Sequence, residues 1–175
     1  MDESKRHLAI TGITSGLGLA LTRELLDAGH TVSGCARRPD PLAGETFGGR
    51  YHFAQLDVLD ASAMRAWAAE VCARVPVDVV VHNAAVMHAA APVAALDPGE
   101  VDRVLRINVT GSFQVAGAFV PHLEAAGRCV VVLFSSGAGR RGIAGVAGYC
   151  ASKWAVEGLA KSLAEELQIG RASCR

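Results

Sequence analysis

The sequence predicts an α/β fold, in which a doubly wound parallel sheet carries helices on both of its faces. Apolar runs of strand length alternate with helical periodicity from His7 to Leu167. The run Val77–His82 is rich in valine on both faces, which is typical of a central strand in a parallel sheet. A glycine-rich turn, Thr11–Gly18, follows the first strand, where open sheets of this class bind ligands.

Each element has its own local signal. Leucines 17, 21 and 25 recur at helical spacing, and Gly29 stands where a helix C-cap belongs. Asp97 starts another helix, with proline next and glutamate three residues on; Val101, Val104 and Leu105 form its buried stripe. Strands are predicted at His7–Thr11, Thr31–Ala36, Tyr51–Leu56, Val77–His82 and Arg128–Ser135, and helices at Ile13–Ala28, after the caps Asp60 and Asp97, and at Tyr149–Leu167.

Composition narrows the class of protein. The chain has 175 residues, enough for one compact domain, and its formal net charge is zero. No basic stripe indicates nucleic acid or a membrane surface as a partner. No apolar segment approaches the ~20 residues that span a bilayer, and no signal peptide is visible. Five scattered cysteines without C-x-x-C spacing disfavour a disulfide framework or a metal site, so we expect a soluble protein in the cytoplasm.

The turn Thr11-Gly12-Ile13-Thr14-Ser15-Gly16-Leu17-Gly18 predicts a phosphate site. Glycines allow a tight turn there and let the backbone and the helix N-terminus approach a pyrophosphate. After the second strand, where an acid would bind a ribose, Arg37 and Arg38 follow Ala36 instead. Because a guanidinium can grip a 2′-phosphate and a carboxylate would repel it, the sequence favours NADP(H), with NAD(H) as the alternative cofactor.

Tyr149 and Lys153 predict a site for proton transfer. They lie four residues apart, one turn along a single helix face, and Ser136 stands thirteen residues upstream of the tyrosine. A phenol normally titrates near ~10, and a neighbouring ammonium lowers that pKa because it favours the phenolate. Asn108 lies within the preceding helix, where this poor helix former invites a local backbone distortion.

These residues together resemble the short-chain dehydrogenase/reductase family in its compact single-domain form, from about His7 to about Leu167. The resemblance implies a partial Rossmann-like NAD(P)-binding domain over residues 1–168. By that similarity, Tyr149 would exchange a proton with the substrate oxygen and Ser136 would orient that oxygen. Lys153 would lower the pKa of the tyrosine and bind the nicotinamide ribose. Asn108 would support a water linking Lys153 to solvent, completing the catalytic tetrad.

The same resemblance implies the cofactor contacts. Asp57 would bond the adenine amino group with the Val58 amide beside it, and Asn83 would hold the fourth strand against the cofactor. The helices that carry Asn108 and Tyr149 often pair across a dimer axis in the family, so a full-length homo-oligomer is expected. The implied cofactor-binding residues are Gly12, Thr14, Ser15, Gly16, Leu17, Gly18, Arg37, Asp57, Val58, Asn83, Ala84, Tyr149 and Lys153.

The chain departs from the family pattern in two places. Ala85 stands where the family usually has glycine. Family members also continue after the tyrosine helix with further strands, so the fold is expected to lack the last of them. Residues 169–175 can be encoded by ATC GGA AGA GCG TCG TGT AGG, the string of a common sequencing adapter, and we expect this tail to be non-native. An intact genomic locus that encodes the tail would contradict this interpretation.

The sequence therefore predicts an oxidoreductase that transfers a hydride between NADP(H) and a small carbonyl or secondary alcohol. Two alternatives share the fold: a non-catalytic dinucleotide-binding or interaction protein, and an inactive truncated fragment. A complete tetrad disfavours the first of these. A sugar epimerase or dehydratase of the extended relatives would carry a T-G-x-x-G-x-x-G turn, which this sequence lacks.

Overall fold

The computed structural model describes residues 5–127 and 130–167, and the backbone of residues 173–174. It contains six strands and five α-helices, with 3-10 turns at Val93–Ala95 and Gly137–Gly139 and a π-helical turn at Arg106–Thr110. They are β1 (His7–Thr11), α1 (Gly16–Asp27), β2 (Thr31–Ala36), β3 (Tyr51–Gln55), α2 (Ala61–Arg74), β4 (Val79–His82), α3 (Pro98–Leu105), α4 (Gly111–Ala125), β5 (Val131–Leu133), α5 (Ala147–Glu166) and β6 (Ser173–Cys174).

The strands form one parallel sheet in the order β3-β2-β1-β4-β5-β6. β1 pairs with β2 on one side and with β4 on the other, so that Thr11 stands opposite both Cys35 and His82. The valine-rich β4 is central, as the sequence predicts. The strand order reverses between β1 and β4, and their carboxyl ends meet at this switch point.

Helices cover both faces of the sheet, and each face has its own core. On one face α2, α4 and α5 pack together, and the rings of Trp67 and Phe119 meet edge-to-face with centroids 5.2 Å apart. On the other face Ile13, Leu26 and Leu42 are almost completely buried around α1. The doubly wound parallel fold is therefore confirmed.

Several boundaries differ from the sequence prediction. α1 begins at Gly16 rather than at Ile13, because Gly12 (φ +75°) and Gly16 (φ +55°) both adopt left-handed backbone conformations within the turn. Leu105 was expected in a buried stripe but is 36% exposed, whereas Val104 is fully buried. The predicted start of β5 at residues 128–129 lies outside the described residues.

Five strands of three to six residues carry the sheet, and Ser173–Cys174 add a two-residue edge beside Val132–Leu133. Of the 169–175 tail, only the backbone of these two residues belongs to the described part of the chain. None of the described helices is long and apolar enough to span a membrane.

Candidate active site

The turn between β1 and α1 is pressed against the end of β4. A Cβ added to Gly12 would lie 2.8 Å from the Cα of Ala84, and one added to Gly18 would collide with the Gly12 carbonyl and the Asn83 amide. Nothing stands within 4 Å of a Cβ added to Gly16, which faces open space. Glycine is therefore required at positions 12 and 18 for close approach of the backbone.

Hydrogen bonds lock this turn to β4. The Asn83 side-chain amide donates to the carbonyl oxygens of Gly12 (3.0 Å) and Thr11 (3.3 Å). The hydroxyl of Thr11 accepts from the backbone N–H groups of Asn83 and Ala84, each at 3.2 Å. Its single proton is then free to donate to Nδ1 of His82 at 2.9 Å. The resemblance implies that Asn83 holds the fourth strand against the cofactor; in the structure its side chain joins the end of β4 to the glycine turn.

An open cleft of about 570 Å³ lies at the switch point, above the carboxyl ends of the strands. Nine of the thirteen expected cofactor-binding residues line it. Gly16 and Gly18 belong to the same turn without lining the cleft, and Tyr149 and Lys153 on α5 do not line it either. Residues of the glycine turn and two arginines line the cleft, and both are groups that bind the phosphates of a dinucleotide. The lining residues are Gly12, Thr14, Ser15, Leu17, Ala36, Arg37, Arg38, Leu56, Asp57, Val58, Asn83, Ala84, Ala85, Val86 and Ile107.

The two arginines after β2 take different positions. Arg38 reaches over the glycine turn, where its Nε donates to the hydroxyl of Thr14 at 3.2 Å and its Nη2 donates to that of Ser15. Arg37 also lines the cleft and is exposed, and its carbonyl accepts from the Gln55 side chain at 2.9 Å. The candidate residues taken from the sequence include Arg37 alone, and the structure adds Arg38 to them.

Asp57 stands at the end of β3 in the wall of the cleft. Its Oδ1 accepts from the backbone N–H of Leu59 at 2.9 Å, which fixes the turn into α2. The neighbouring Val58 is buried and packs closely on Gly111. A Cβ added to Gly111 would lie 2.9 Å from the Cγ2 atom of Val58. Asp60, not Asp57, caps α2 by accepting from Ser62 and Ala63.

Tyr149 and Lys153 lie one turn apart on α5, at the end of β5. The Lys153 ammonium is 5.6 Å from the centroid of the Tyr149 ring, and the lysine is only 3% exposed. It donates to the carbonyl of Phe134 at 2.8 Å. Two residues further on, Ser136 caps a 3-10 turn, where its Oγ accepts from Ala138 at 3.2 Å. The structure therefore brings the lysine, the tyrosine and the segment bearing Ser136 to one end of the sheet.

Asn108 occupies the middle of the π-helical turn Arg106–Thr110, between α3 and α4. Its side chain is 1% exposed and forms a pair of 2.8 Å hydrogen bonds with the backbone N–H and carbonyl of Val86. It also donates to the hydroxyl of Ser152 on α5 at 3.0 Å. The predicted backbone distortion is confirmed, and it lets one side chain tie the loop after β4 to α5.

His82 is buried beneath the cleft, and burial together with the charge of Lys153 lowers its pKa from 6.5 to about 3. The imidazole is therefore neutral, and its Nδ1 accepts from Thr11. Its Nε2, which carries the proton, has no partner among the described residues.

The sheet order, the glycine turn and the cleft at the switch point define the doubly wound, Rossmann-like class. Residues 6–171 match the family described as short chain dehydrogenase. The chain therefore belongs to the short-chain dehydrogenase/reductase family of oxidoreductases, as its resemblance to that family implied.

Individual relatives agree with this placement. The chain is 37% identical to an NADPH-dependent pterin aldehyde reductase of Arabidopsis thaliana, over 95% of this chain and 71% of that protein. It superposes with a TM-score of 0.87 on a short-chain dehydrogenase from Streptomyces avermitilis, at 32% identity over 99% of this chain and 65% of that one. The TM-score is also 0.87 for an alcohol dehydrogenase from Thermococcus sibiricus complexed with 5-hydroxy-NADP, at 25% identity over 97% and 74%.

Proposed function

We propose that the protein is an NADP(H)-dependent oxidoreductase that interconverts a small carbonyl compound and its alcohol. The observation that carries this proposal is the buried Lys153 ammonium, 5.6 Å from the centroid of the Tyr149 ring, in a chain whose cleft at the switch point is lined by the glycine turn and two arginines. When bound, the nicotinamide would supply or accept the hydride. The residues of the chain then have to manage the proton and the position of the substrate oxygen.

Tyr149 donates its phenolic proton to the substrate oxygen during reduction and takes it back during oxidation. Lys153, whose ammonium lies 5.6 Å from the centroid of the tyrosine ring, provides the positive charge beside this residue and would bind the nicotinamide ribose. The Ser136 hydroxyl donates a hydrogen bond to the substrate oxygen and thereby holds it near the tyrosine. The Asn108 side chain links Val86 to α5, the helix that carries Tyr149 and Lys153.

Replacing Tyr149 by phenylalanine tests this chemistry. General acid–base catalysis contributes roughly 10²- to 10⁴-fold, so Tyr149→Phe should lower kcat by that factor against a panel of aldehydes and ketones with NADPH. The dissociation constant for NADPH, followed by its fluorescence, should stay within a few-fold of the parent value. Equal turnover by the variant and the parent would refute the assignment.

The second candidate function, a non-catalytic dinucleotide-binding protein, predicts a different result in the same assay. It would bind NADPH in the cleft but would turn over no carbonyl substrate with either the parent or the variant. Turnover that depends on the phenol distinguishes the two functions, since only the oxidoreductase uses that group.

The preference for NADP(H) rests on the arginines at the end of the cleft. Arg38 is held over the glycine turn by Thr14 and Ser15, and Arg37 lies beside it. A hydrogen-bonded charge pair contributes ~1.5–3 kcal/mol, so Arg38→Ala should weaken NADPH binding by roughly 10- to 100-fold. NADH has no 2′-phosphate, so its affinity should change little. Arg37→Ala measures the contribution of the second arginine to NADPH binding. A parent protein that binds NADH as tightly as NADPH would contradict the preference.

We also propose that a second copy of the chain packs on the exposed face of α4 and α5. An open groove of about 520 Å³ runs between these helices, lined mainly by apolar and small residues. Phe113 and Trp154 stand beside it with 55% and 54% of their surfaces exposed. Large apolar side chains clustered on one helical face favour association, and the glycines Gly117 and Gly158 permit close approach of a second backbone.

A further inference from the structure

His88 is a buried histidine outside the expected tetrad. It follows β4 in the loop that leads to α3, is 3% exposed, and lies against the first turn of α5, the helix that carries Tyr149. Its loop is fastened to the segment before that helix, because the N–H of Ala91 donates to the carbonyl of Gly145 at 2.9 Å.

The first turn of α5 lacks a cap of its own. The first N–H groups of a helix have no partner within it, and a Ser, Thr, Asp or Asn side chain at the N-cap usually accepts from one of them. Here the N-cap is Val146, whose side chain cannot accept a hydrogen bond. The N–H of Tyr149, the third residue of the helix, is in the position that such a cap would serve.

His88 supplies the missing acceptor. Its Nδ1 faces the carbonyl of Ala89 at 2.7 Å and therefore carries the proton. Its Nε2 is then an acceptor, and the N–H of Tyr149 donates to it at 3.4 Å. Gly148 makes room for the ring, since a Cβ at that position would lie 3.1 Å from Nε2.

We propose that His88 is a positioning residue, which caps α5 from outside the helix and thereby fixes Tyr149 for proton transfer. The proposal rests on the proposed function of Tyr149 as proton donor. The neutral form of His88 is required, because a protonated ring would present a donor to the N–H of Tyr149 and a positive charge to the positive end of the helix. Loss of the cap should therefore lower the rate of the proton-transfer step and leave cofactor binding largely unchanged.

The charged groups around His88 lie on α3. Glu100 forms a 2.8 Å ion pair with Arg103, and that pairing, with a smaller contribution from His88, lowers the pKa of the glutamate. Arg103 also donates to the carbonyl of Met87 at 3.5 Å. On α5 the facing titratable group is Tyr149 itself. The Glu100–Arg103 pair thus places charges of both signs on the helix that faces the ring.

Three variants separate capping from packing. His88→Gln keeps an acceptor oxygen near the position of Nε2. His88→Asn keeps a polar group near Nδ1 but is too short to reach Tyr149. His88→Leu fills the space without any acceptor. At about pH 8 we expect kcat for the Asn and Leu variants to fall on the order of ten-fold, while the Gln variant stays close to the parent and all three keep the parent dissociation constant for NADPH.

Amide exchange completes the test. Hydrogen exchange of the Tyr149 amide, measured by NMR, should accelerate in the Asn and Leu variants and stay at the parent rate in the Gln variant. The exchange measurement does not depend on turnover, so it tests the cap even if the proposed reaction fails. Equal rates and equal exchange in the Gln and Asn variants would overturn the proposal.

Discussion

Lowering the pH from about 7.5 to about 5 should destabilise the folded protein through His82. Burial, followed by the charge of Lys153, lowers the pKa of this imidazole from 6.5 to about 3 in the folded state. In the unfolded chain the same group binds a proton below about pH 6.5, so acid favours unfolding. The stability contributed by neutral His82 is complete above that pH and is lost as the pH falls towards 3.

The expected size follows from the two pKa values. Each pH unit between them changes the free energy of unfolding by about 1.36 kcal/mol. Lowering the pH to about 1.5 units below 6.5 therefore reduces the free energy of unfolding by about 2 kcal/mol. His7, whose pKa burial also lowers, acts in the same direction. The total loss should thus exceed the share of His82 alone.

Urea unfolding at the two pH values, in the parent and in His82→Asn, isolates that share. Asparagine keeps a short acceptor for the Thr11 hydroxyl but does not titrate. The variant should lose about 2 kcal/mol less than the parent between the two pH values, whatever its stability at the higher one. Parallel losses in the two proteins would refute the argument from burial.

Two further substitutions test the turn and the helical face. Gly18→Ala should weaken NADPH binding and destabilise the fold by ~1–3 kcal/mol, because its Cβ would collide with the Gly12 carbonyl; Gly142→Ala, with nothing within 4 Å, is the control for both fluorescence titration and thermal unfolding. Phe113→Glu should shift the molar mass measured by light scattering towards that of a monomer, and the same change at the 72% exposed Val93 should not. A monomeric parent would refute the proposed association.

The features that sequence alone predicts are the local ones. The position of β4 follows from its valines, and the distortion at Asn108 follows from the poor helix propensity of asparagine. The glycine turn is recognisable because only glycine tolerates both left-handed backbone and such close contacts.

The features that sequence could not supply depend on contacts between distant segments. Arg37 and Arg38 are adjacent and chemically identical, so only the three-dimensional path of the loop shows that Arg38 reaches the glycine turn. Leu105 fits a buried periodicity, yet its side chain is 36% exposed, because its burial depends on which segments pack against α3. His88 meets α5 across 61 residues of sequence, a separation that no local pattern reveals.

The pairing of β1 with β4 also sets the order in which the protein can assemble. Thr11 pairs with His82 of β4, which is synthesised about 70 residues later, so the second neighbour of β1 is missing until then. At the usual pace of synthesis of about 5–20 residues per second, one edge of β1 stays unpaired for several seconds after it leaves the ribosome. An unpaired apolar edge is a template for aggregation, so this interval is where a chaperone would matter most. The cofactor cleft, built across the same pair, can stabilise only chains that have already passed this stage.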